Sequence, residues 1–157
     1  MYYARTSYNK RCCMALMQKC IGRTFIVFDT ETTGINKEKD YIVELAAMKY
    51  IVKNSQVPEL IDKIDLYMRP PFLMDQKVID IHGITNEFLM DKPNEKDCIQ
   101  KIEDFFGDRP IILGYNSDFD YAMLSSLFQR NNRQLQVSAI LDVMEMGYDV
   151  CFGNEFK

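Results

Sequence analysis

The stretch Thr24-Phe25-Ile26-Val27-Phe28-Asp29-Thr30-Glu31-Thr32-Thr33-Gly34 decides the fold of this chain. Its first five residues form an apolar, aromatic-rich run that predicts a buried β-strand. Asp29 and Glu31 follow at the end of that run, and the segment 32–34 is typical of a turn. Because side chains two residues apart in a strand project from the same face, the two carboxylates can share a hard cation. The alternative interpretation of a lone Asp-x-Glu pair is a solvated strand end.

Four further strands are predicted from apolar and alternating runs, over Tyr41–Val52, Glu59–Met68, Ile111–Tyr115 and Ser138–Val143. Short links join the first three strands, and segment 36–40 is a polar hairpin loop. We therefore expect an antiparallel meander, which Pro70-Pro71 ends because proline cannot donate to a strand ladder.

Helical spacing of apolar residues begins only after the meander. It predicts a helix over Glu95–Phe106, which Gly107 closes as the residue after the helix end. A second helix is predicted from Phe119 to about Arg130, with Ser117 or Asp118 as its N-cap. Three strands followed by alternating helix and strand predict an α/β fold, with a mixed five-stranded sheet flanked by helices.

Composition and charge are typical of a single folded globular domain. The chain has 157 residues, of which 47% are hydrophobic and 27% charged, with a formal net charge of −4. This length fits one domain with a real core, and no run approaches the roughly 18 apolar residues of a membrane span. Residues 1–23 contain five bases and no acid, and they predict a basic N-terminal arm that is solvated or touches phosphate. The rest carries −9, so we expect no nucleic-acid binding by bulk charge alone.

Cysteine and histidine usage excludes a structural zinc site. The five cysteines, Cys12, Cys13, Cys20, Cys98 and Cys151, show no CxxC spacing, and His82 is the only histidine. Free thiols are typical of a reducing compartment, so we expect a cytoplasmic protein.

Three motifs in order resemble the DnaQ-like (DEDD) exonuclease family, which includes the proofreading subunit or domain of bacterial DNA polymerase III. The stretch 28–34 is similar to the family's first motif. Ile81-His82-Gly83-Ile84-Thr85 resembles its "HGIT" stretch, and Asn116-Ser117-Asp118-Phe119-Asp120 resembles its second motif. The resemblance covers roughly residues 24–145. It implies a ribonuclease H-like fold and 3′–5′ hydrolysis of nucleic-acid ends, with single-stranded DNA as the expected substrate and a DNA polymerase as an expected partner.

The resemblance also implies a metal site. Asp29, Glu31 and Asp120 would be its catalytic and metal-binding residues, with Asp29 bridging two ions of Mg²⁺ or Mn²⁺. Two ions about 3.5–4 Å apart can activate a water and neutralise charge on the attacked phosphate. Taken without the motif, Asp120 is equally typical of a first-turn acid that the helix dipole favours.

Substrate contacts are implied for residues around the same motifs. These are Thr32, Gly34, His82, Ile84, Thr85, Asn116 and Phe119. His82 is not expected to be the general base, because the histidine of the "HGIT" stretch is a structural or substrate-lining loop residue in the family. Asn116 has a turn residue as its alternative interpretation, and Glu44 is expected to be a structural partner of the site.

The chain departs from the family in the third motif, His-x-Ala-x-x-Asp, which supplies the base and the fourth acid. The acids after the second motif are Asp142, Glu145, Asp149 and Glu155, with no histidine beside them. We therefore expect residues 24–157 to be an exonuclease domain that lacks the family's C-terminal helix. The alternatives are a fragment of a longer exonuclease, an inactive domain that binds nucleic acid or a polymerase, and a partner that supplies the helix. An RNase H-type endonuclease is a weaker alternative.

Overall fold

One mixed sheet organises the computed structural model, which describes residues 21–53 and 58–144. Its strands are β1 (Thr24–Thr32), β2 (Ile42–Ile51), β3 (Glu59–Tyr67), β4 (Ile111–Gly114) and β5 (Ala139–Asp142). They lie in the spatial order β3-β2-β1-β4-β5. The pairs β1–β2 and β2–β3 are antiparallel, whereas β4 runs parallel to both β1 and β5. The predicted α/β fold, with three antiparallel strands first, is confirmed.

Four helices follow or separate these strands: α1 (Gln76–His82), α2 (Asn86–Leu89), α3 (Glu95–Phe106) and α4 (Ser117–Arg130). The bounds of α3 agree with the prediction. Its N-cap Asn94 forms a capping box with Asp97, and Gly107 ends it with a φ of 68°. None of the helices in the described residues is long and apolar enough to cross a membrane.

The start of α4 differs from the prediction. Neither Ser117 nor Asp118 is the N-cap, because both lie inside the helix and Asn116 precedes it. Asn116 has a left-handed backbone, with φ of 55°, and its side chain makes no capping hydrogen bond. The Asp142 carboxylate caps the helix start instead, because it accepts from the N–H of Asn116 at 3.1 Å and of Ser117 at 3.0 Å.

The sheet has one face packed under helices and one that carries charged groups. From Ile26 to Thr32 the even-numbered side chains of β1 are buried, and the odd-numbered ones point the other way. The buried face packs on α3 and α4, whose innermost residues include Ile102, Met123, Leu124, Leu127 and Phe128. Each such fully buried side chain contributes about 1.5–3 kcal/mol. This packing fixes β1 and α4, the two elements with the predicted metal ligands, against each other.

Two predictions about the termini fall outside the described residues. The basic arm was predicted for residues 1–23, of which the structure describes only the last three. There Ile21 forms a bridge with Val52, and the Gly22 N–H donates to the Val52 carbonyl at 2.8 Å. The predicted lack of the family's C-terminal helix concerns the end of the chain, where residues 145–157 are also not described.

Candidate active site

Asp29 and Glu31 lie on the face of the sheet that points away from α3 and α4. Asp29 is exposed and Glu31 is half-buried, while Thr30 between them is buried. Glu31 pairs across the ladder with Glu44, and the pairing becomes irregular immediately afterwards, between Glu31 and Thr32. The strand thus delivers both carboxylates together at its end, as the period of two predicts.

Glu31 is surrounded by other ionisable groups. Burial raises the pKa of Glu31 above its ordinary value, and the nearby charge of His82 lowers it. Asp29 and Glu44 each raise the pKa of Glu31 further. The Glu31 carboxyl therefore binds a proton more tightly than an exposed glutamate, and a cation placed beside it would offset that effect.

Asp120 reaches β1 from the first turn of α4. Only 5% of its surface is exposed. Its Oδ1 accepts hydrogen bonds from the N–H of Thr30 at 3.1 Å and from the Thr30 hydroxyl at 2.5 Å. Burial raises the pKa of Asp120, the Thr30 hydroxyl bond lowers it, and the charge of Asp29 raises it. Asp120 lies in the first turn of α4, as its alternative interpretation also has it, and it is in addition buried and hydrogen-bonded to β1.

Among the three predicted ligands, Asp29 is the one whose charge acts on both of the others. Its charge raises the pKa of Glu31 on the same strand and of Asp120 on α4. Within residues 21–53 and 58–144, however, no three His, Cys, Asp or Glu side chains form a ready group around one metal position. The chemistry of the donors fits a hard divalent cation, because carboxylate oxygens are what Mg²⁺ and Mn²⁺ prefer.

His82 occupies the last position of α1, so the prediction that it belongs to a loop was wrong. Gly83 follows with a φ of 77° and ends the helix. The Nδ1 of His82 accepts a hydrogen bond from the Ile84 N–H at 3.0 Å, which places the proton of the neutral ring on Nε2. Nε2 is buried and has no partner among the described groups. An imidazole whose only basic nitrogen is already bonded suits a positioning role better than a general base.

Glu44 and Tyr67 extend the row of polar groups across the sheet. Glu44 pairs with Glu31 on one side and with Tyr67 on the other. A hydrogen-bonding contact with the Glu44 carboxylate raises the pKa of Tyr67 to about 12. This contact agrees with the expectation that Glu44 is a structural partner. Tyr67 was not singled out from the sequence, and only the register of β2 on β3 could have identified it.

Thr32 is the last residue of β1, and Gly34 belongs to the turn that follows the strand. The Thr32 hydroxyl donates to the Gly34 carbonyl at 2.7 Å. A Cβ on Gly34 would lie 2.6 Å from Oδ2 of Asp40, so the close approach of this carboxylate requires glycine. Both residues therefore have a structural role in the turn, and their contact with substrate stays a prediction.

Ile84 and Thr85 also have structural roles in the fold. Ile84 is buried in a small apolar cluster with Val43, Met74 and Leu89. Thr85 is the N-cap of α2, and its hydroxyl accepts from the Phe88 N–H at 3.1 Å. The contact of this "HGIT" stretch with a terminal nucleotide stays a prediction.

Asn116 and Phe119 lie on the α4 side of the site. Asn116 is exposed. Phe119 is partly buried and lines a cleft of about 500 Å³ between α4 and the β1–β2 loop, together with Ile35, Asn36, Lys37, Glu38 and Ala122. The structure thus places Phe119 beside an open groove, and the contact of both residues with substrate stays a prediction.

Comparisons with known proteins agree on one kind of domain. A family model described as an exonuclease, RNase_T, matches residues 26–152. The DNA polymerase III PolC-type of Bacillus subtilis (strain 168) is 34% identical over 128 residues, and that of Oceanobacillus iheyensis is 32% identical over 123 residues. These matches cover 79% and 78% of this chain but 8% of each relative, so the chain spans less than a tenth of their length.

Solved structures show the same fold. A product-bound structure of exonuclease I has a TM-score of 0.69 at 23% identity, and the match covers 81% of this chain and 31% of that one. The zinc-bound E. coli ExoI–ssDNA complex has a TM-score of 0.67 at 26% identity and covers 80% and 30% of the two chains.

Proposed function

Because the chain belongs to the exonuclease family whose model matches residues 26–152, we propose that it hydrolyses nucleic acids stepwise from a 3′ end. Membership confirms the resemblance that the three motifs predicted. One observation carries the proposal. Asp29 lies close enough to Glu31 and to Asp120 for its charge to raise the pKa of both. Three carboxylates from two elements thus share one region of negative charge.

Mg²⁺ or Mn²⁺ is the cofactor that this region suits. We propose that Asp29, Glu31 and Asp120 are the residues that would hold the metal. Both hydrogen bonds to Asp120 go to Oδ1, so a metal would bind its other oxygen. When bound, two such ions would activate a water and stabilise the charge on the attacked phosphate.

The residues of the chain supply orientation for this chemistry. Thr30 holds Asp120 from β1, and the turn with Thr32 and Gly34 forms the adjacent edge of the site. We propose that His82, Ile84, Thr85, Asn116 and Phe119 line the path of the 3′-terminal nucleotide. The cleft beside Phe119 is open to solvent.

Single-stranded DNA is the proposed substrate, and proofreading for a DNA polymerase is the proposed setting. The relatives support this, since the similar proteins are PolC-type DNA polymerases and one similar structure is an exonuclease I–ssDNA complex. Trimming of RNA ends is the competing substrate choice within the same chemistry. We further propose that the exonuclease domain spans residues 24–157 after a basic arm, in a cytoplasmic protein.

A second candidate function is a domain that binds a 3′ end or a polymerase without cutting. It is favoured by the absence, among residues 21–53 and 58–144, of three ligating side chains already gathered for a metal. Asp142 does not supply the fourth acid, because both of its oxygens cap α4. Glu145, Asp149 and Glu155 lie outside the described residues. Loss of a general base typically lowers the catalytic rate by about 10²–10⁴-fold.

Digestion of a 5′-labelled single strand in Mn²⁺ tests the proposal. Wild type is compared with Asp29→Asn and with the matched control Asp65→Asn. Asp65 lies in the same row of the sheet, two strands away through Ala46, and is exposed. Removing a metal ligand should reduce the rate by about 100-fold or more.

We expect a ladder that shortens from the 3′ end for wild type and Asp65→Asn, and none for Asp29→Asn. Binding of the strand without a ladder in wild type would favour the binding domain. Cutting of a circular single strand, which has no end, would indicate an endonuclease instead.

A further inference from the structure

The loop between β1 and β2, residues 33–41, is stabilised by hydrogen bonds to the Asp40 carboxylate. The Asp40 carboxylate accepts from the Thr33 hydroxyl at 2.9 Å through Oδ1 and from the Asn36 N–H at 2.8 Å through Oδ2. The backbone adds a bond from the Thr33 N–H to the Tyr41 carbonyl at 2.9 Å. The loop is therefore a defined structure, and whatever holds Asp40 and Tyr41 also holds the loop.

Arg130, at the end of α4, holds both of these residues. Its Nη1 donates to the Asp40 carbonyl at 3.3 Å, and its guanidinium lies 4.3 Å from the centre of the Tyr41 ring. The remaining donors of the same guanidinium bind the Glu95 carboxylate, with Nη2 at 2.9 Å from Oε2 and Nε at 3.1 Å from Oε1. Side-chain exposure of 21% for Arg130 and 16% for Glu95 limits screening by solvent. One arginine thus joins the loop to α3 and α4.

The loop held by Arg130 forms one wall of the cleft beside the candidate site. The cleft has a volume of about 500 Å³. On its loop side it is lined by Ile35, Asn36, Lys37 and Glu38, and on its α4 side by Phe119 and Ala122. Asp120 follows Phe119 directly in the first turn of α4. The distance between loop and helix therefore determines the width of this cleft.

We infer that Arg130 is a positioning residue of the site, which sets the width of this cleft by fixing the β1–β2 loop against α4. The identity of the occupant, a single strand with a 3′ end, rests on the proposed function. Lysine cannot replace the arginine, because an ammonium lacks the planar fork that binds Glu95 and Asp40 together and stacks on Tyr41.

Arg133 provides a matched control. It also forms an ion pair with α3, through Glu103, and its Nη2 donates to Gln100 at 2.9 Å. Its side-chain partners among residues 21–53 and 58–144 all belong to α3, whereas Arg130 also contacts the loop. Replacing either arginine removes one ion pair with α3. Only the replacement of Arg130 also removes contacts with the β1–β2 loop.

The test compares Arg130→Met, Arg130→Lys and Arg133→Met with wild type in two measurements. Amide hydrogen exchange reports the loop directly and needs no activity. We expect exchange at residues 33–41 to accelerate about 10-fold or more in both Arg130 variants and to stay unchanged in Arg133→Met. Equal exchange in all variants would overturn the inference. If Arg130→Met does not fold, Arg130→Lys and Tyr41→Leu carry the same comparison.

Steady-state kinetics on the single strand supply the second measurement. Displacing the wall should raise KM about 10-fold in Arg130→Lys, with kcat changed by less than about 2-fold, because the carboxylates stay in place. Equal KM values for the Arg130 and Arg133 variants would also overturn the inference. A wild-type chain without activity would reject the proposed function alone, and the exchange comparison would then decide whether Arg130 fixes the loop.

Discussion

Thr30 on β1 and Asp120 on α4 are joined by two hydrogen bonds to a single oxygen. The Thr30 N–H and hydroxyl both donate to Oδ1 of Asp120, at 3.1 and 2.5 Å. Thr30 faces the helical layer, whereas its neighbours Asp29 and Glu31 face the other way. The same three residues of the strand therefore carry two acids and the group that binds the third, so all three acids of the candidate site are held at the end of β1.

Thr30→Val removes the hydroxyl while keeping the shape of the side chain. We expect a loss of about 1–2 kcal/mol in the free energy of unfolding, because the lost bond is buried and its acceptor is charged. The pKa of Asp120 should rise further, since the hydroxyl bond lowers it at present. Urea unfolding and NMR titration of the Asp120 carboxyl measure the two effects. Thr24→Val, at the exposed start of β1, is the control and should change neither quantity.

The stability of the metal-free protein should depend on pH through Asp120 and Glu31. Their ordinary pKa values are 3.8 and 4.5, and burial raises both in the folded chain. The folded state then binds protons more tightly than the unfolded state. Stability should therefore fall as the pH rises from these ordinary values through the raised ones.

Asp120→Asn isolates the share of Asp120 in this dependence, because asparagine keeps an acceptor for Thr30 and does not titrate. The free energy of unfolding, measured in chelator from about pH 4 to about pH 7, should decline less steeply in the variant than in wild type. Parallel curves would show that Asp120 titrates as an exposed acid.

The capping of α4 by Asp142 should contribute measurably to the free energy of unfolding. Asp142→Ala removes the acceptor of the Asn116 and Ser117 N–H groups and should cost about 1–2 kcal/mol of stability. Asp118→Ala, at one of the two positions predicted as the N-cap, should cost only a few tenths of a kcal/mol through the helix dipole. Thermal unfolding of both variants decides between them, and a larger effect at Asp118 would contradict the observed cap.

The sequence predicted most of the scaffold because its elements follow local patterns. The helix α3 has its cap, its apolar spacing and its closing glycine within residues 94–107, and its predicted bounds were confirmed. The sheet and the place of Asp29 and Glu31 on one face follow from strand periodicity in the same way.

The errors arose where a structure depends on distant or very short segments. No helix was assigned between Pro71 and Asn94, although α1 and α2 lie there. They have seven and four residues, too few for a clear helical period, and α1 buries no side chain. Capping of Asn116 by Asp142 joins residues 26 positions apart, which no local pattern can predict. The role of Arg130 likewise depends on a contact with Asp40, 90 positions away.

Direct Mn²⁺ binding tests the central claim, that Asp29, Glu31 and Asp120 form one metal site. Calorimetric titration of wild type, Asp29→Asn, Asp120→Asn and the control Asp65→Asn gives the affinity of each without requiring activity. We predict that wild type and Asp65→Asn bind alike, and that either ligand variant binds about 100-fold more weakly or not at all. Undetectable binding to wild type, or equal binding to Asp29→Asn and Asp65→Asn, would contradict the account.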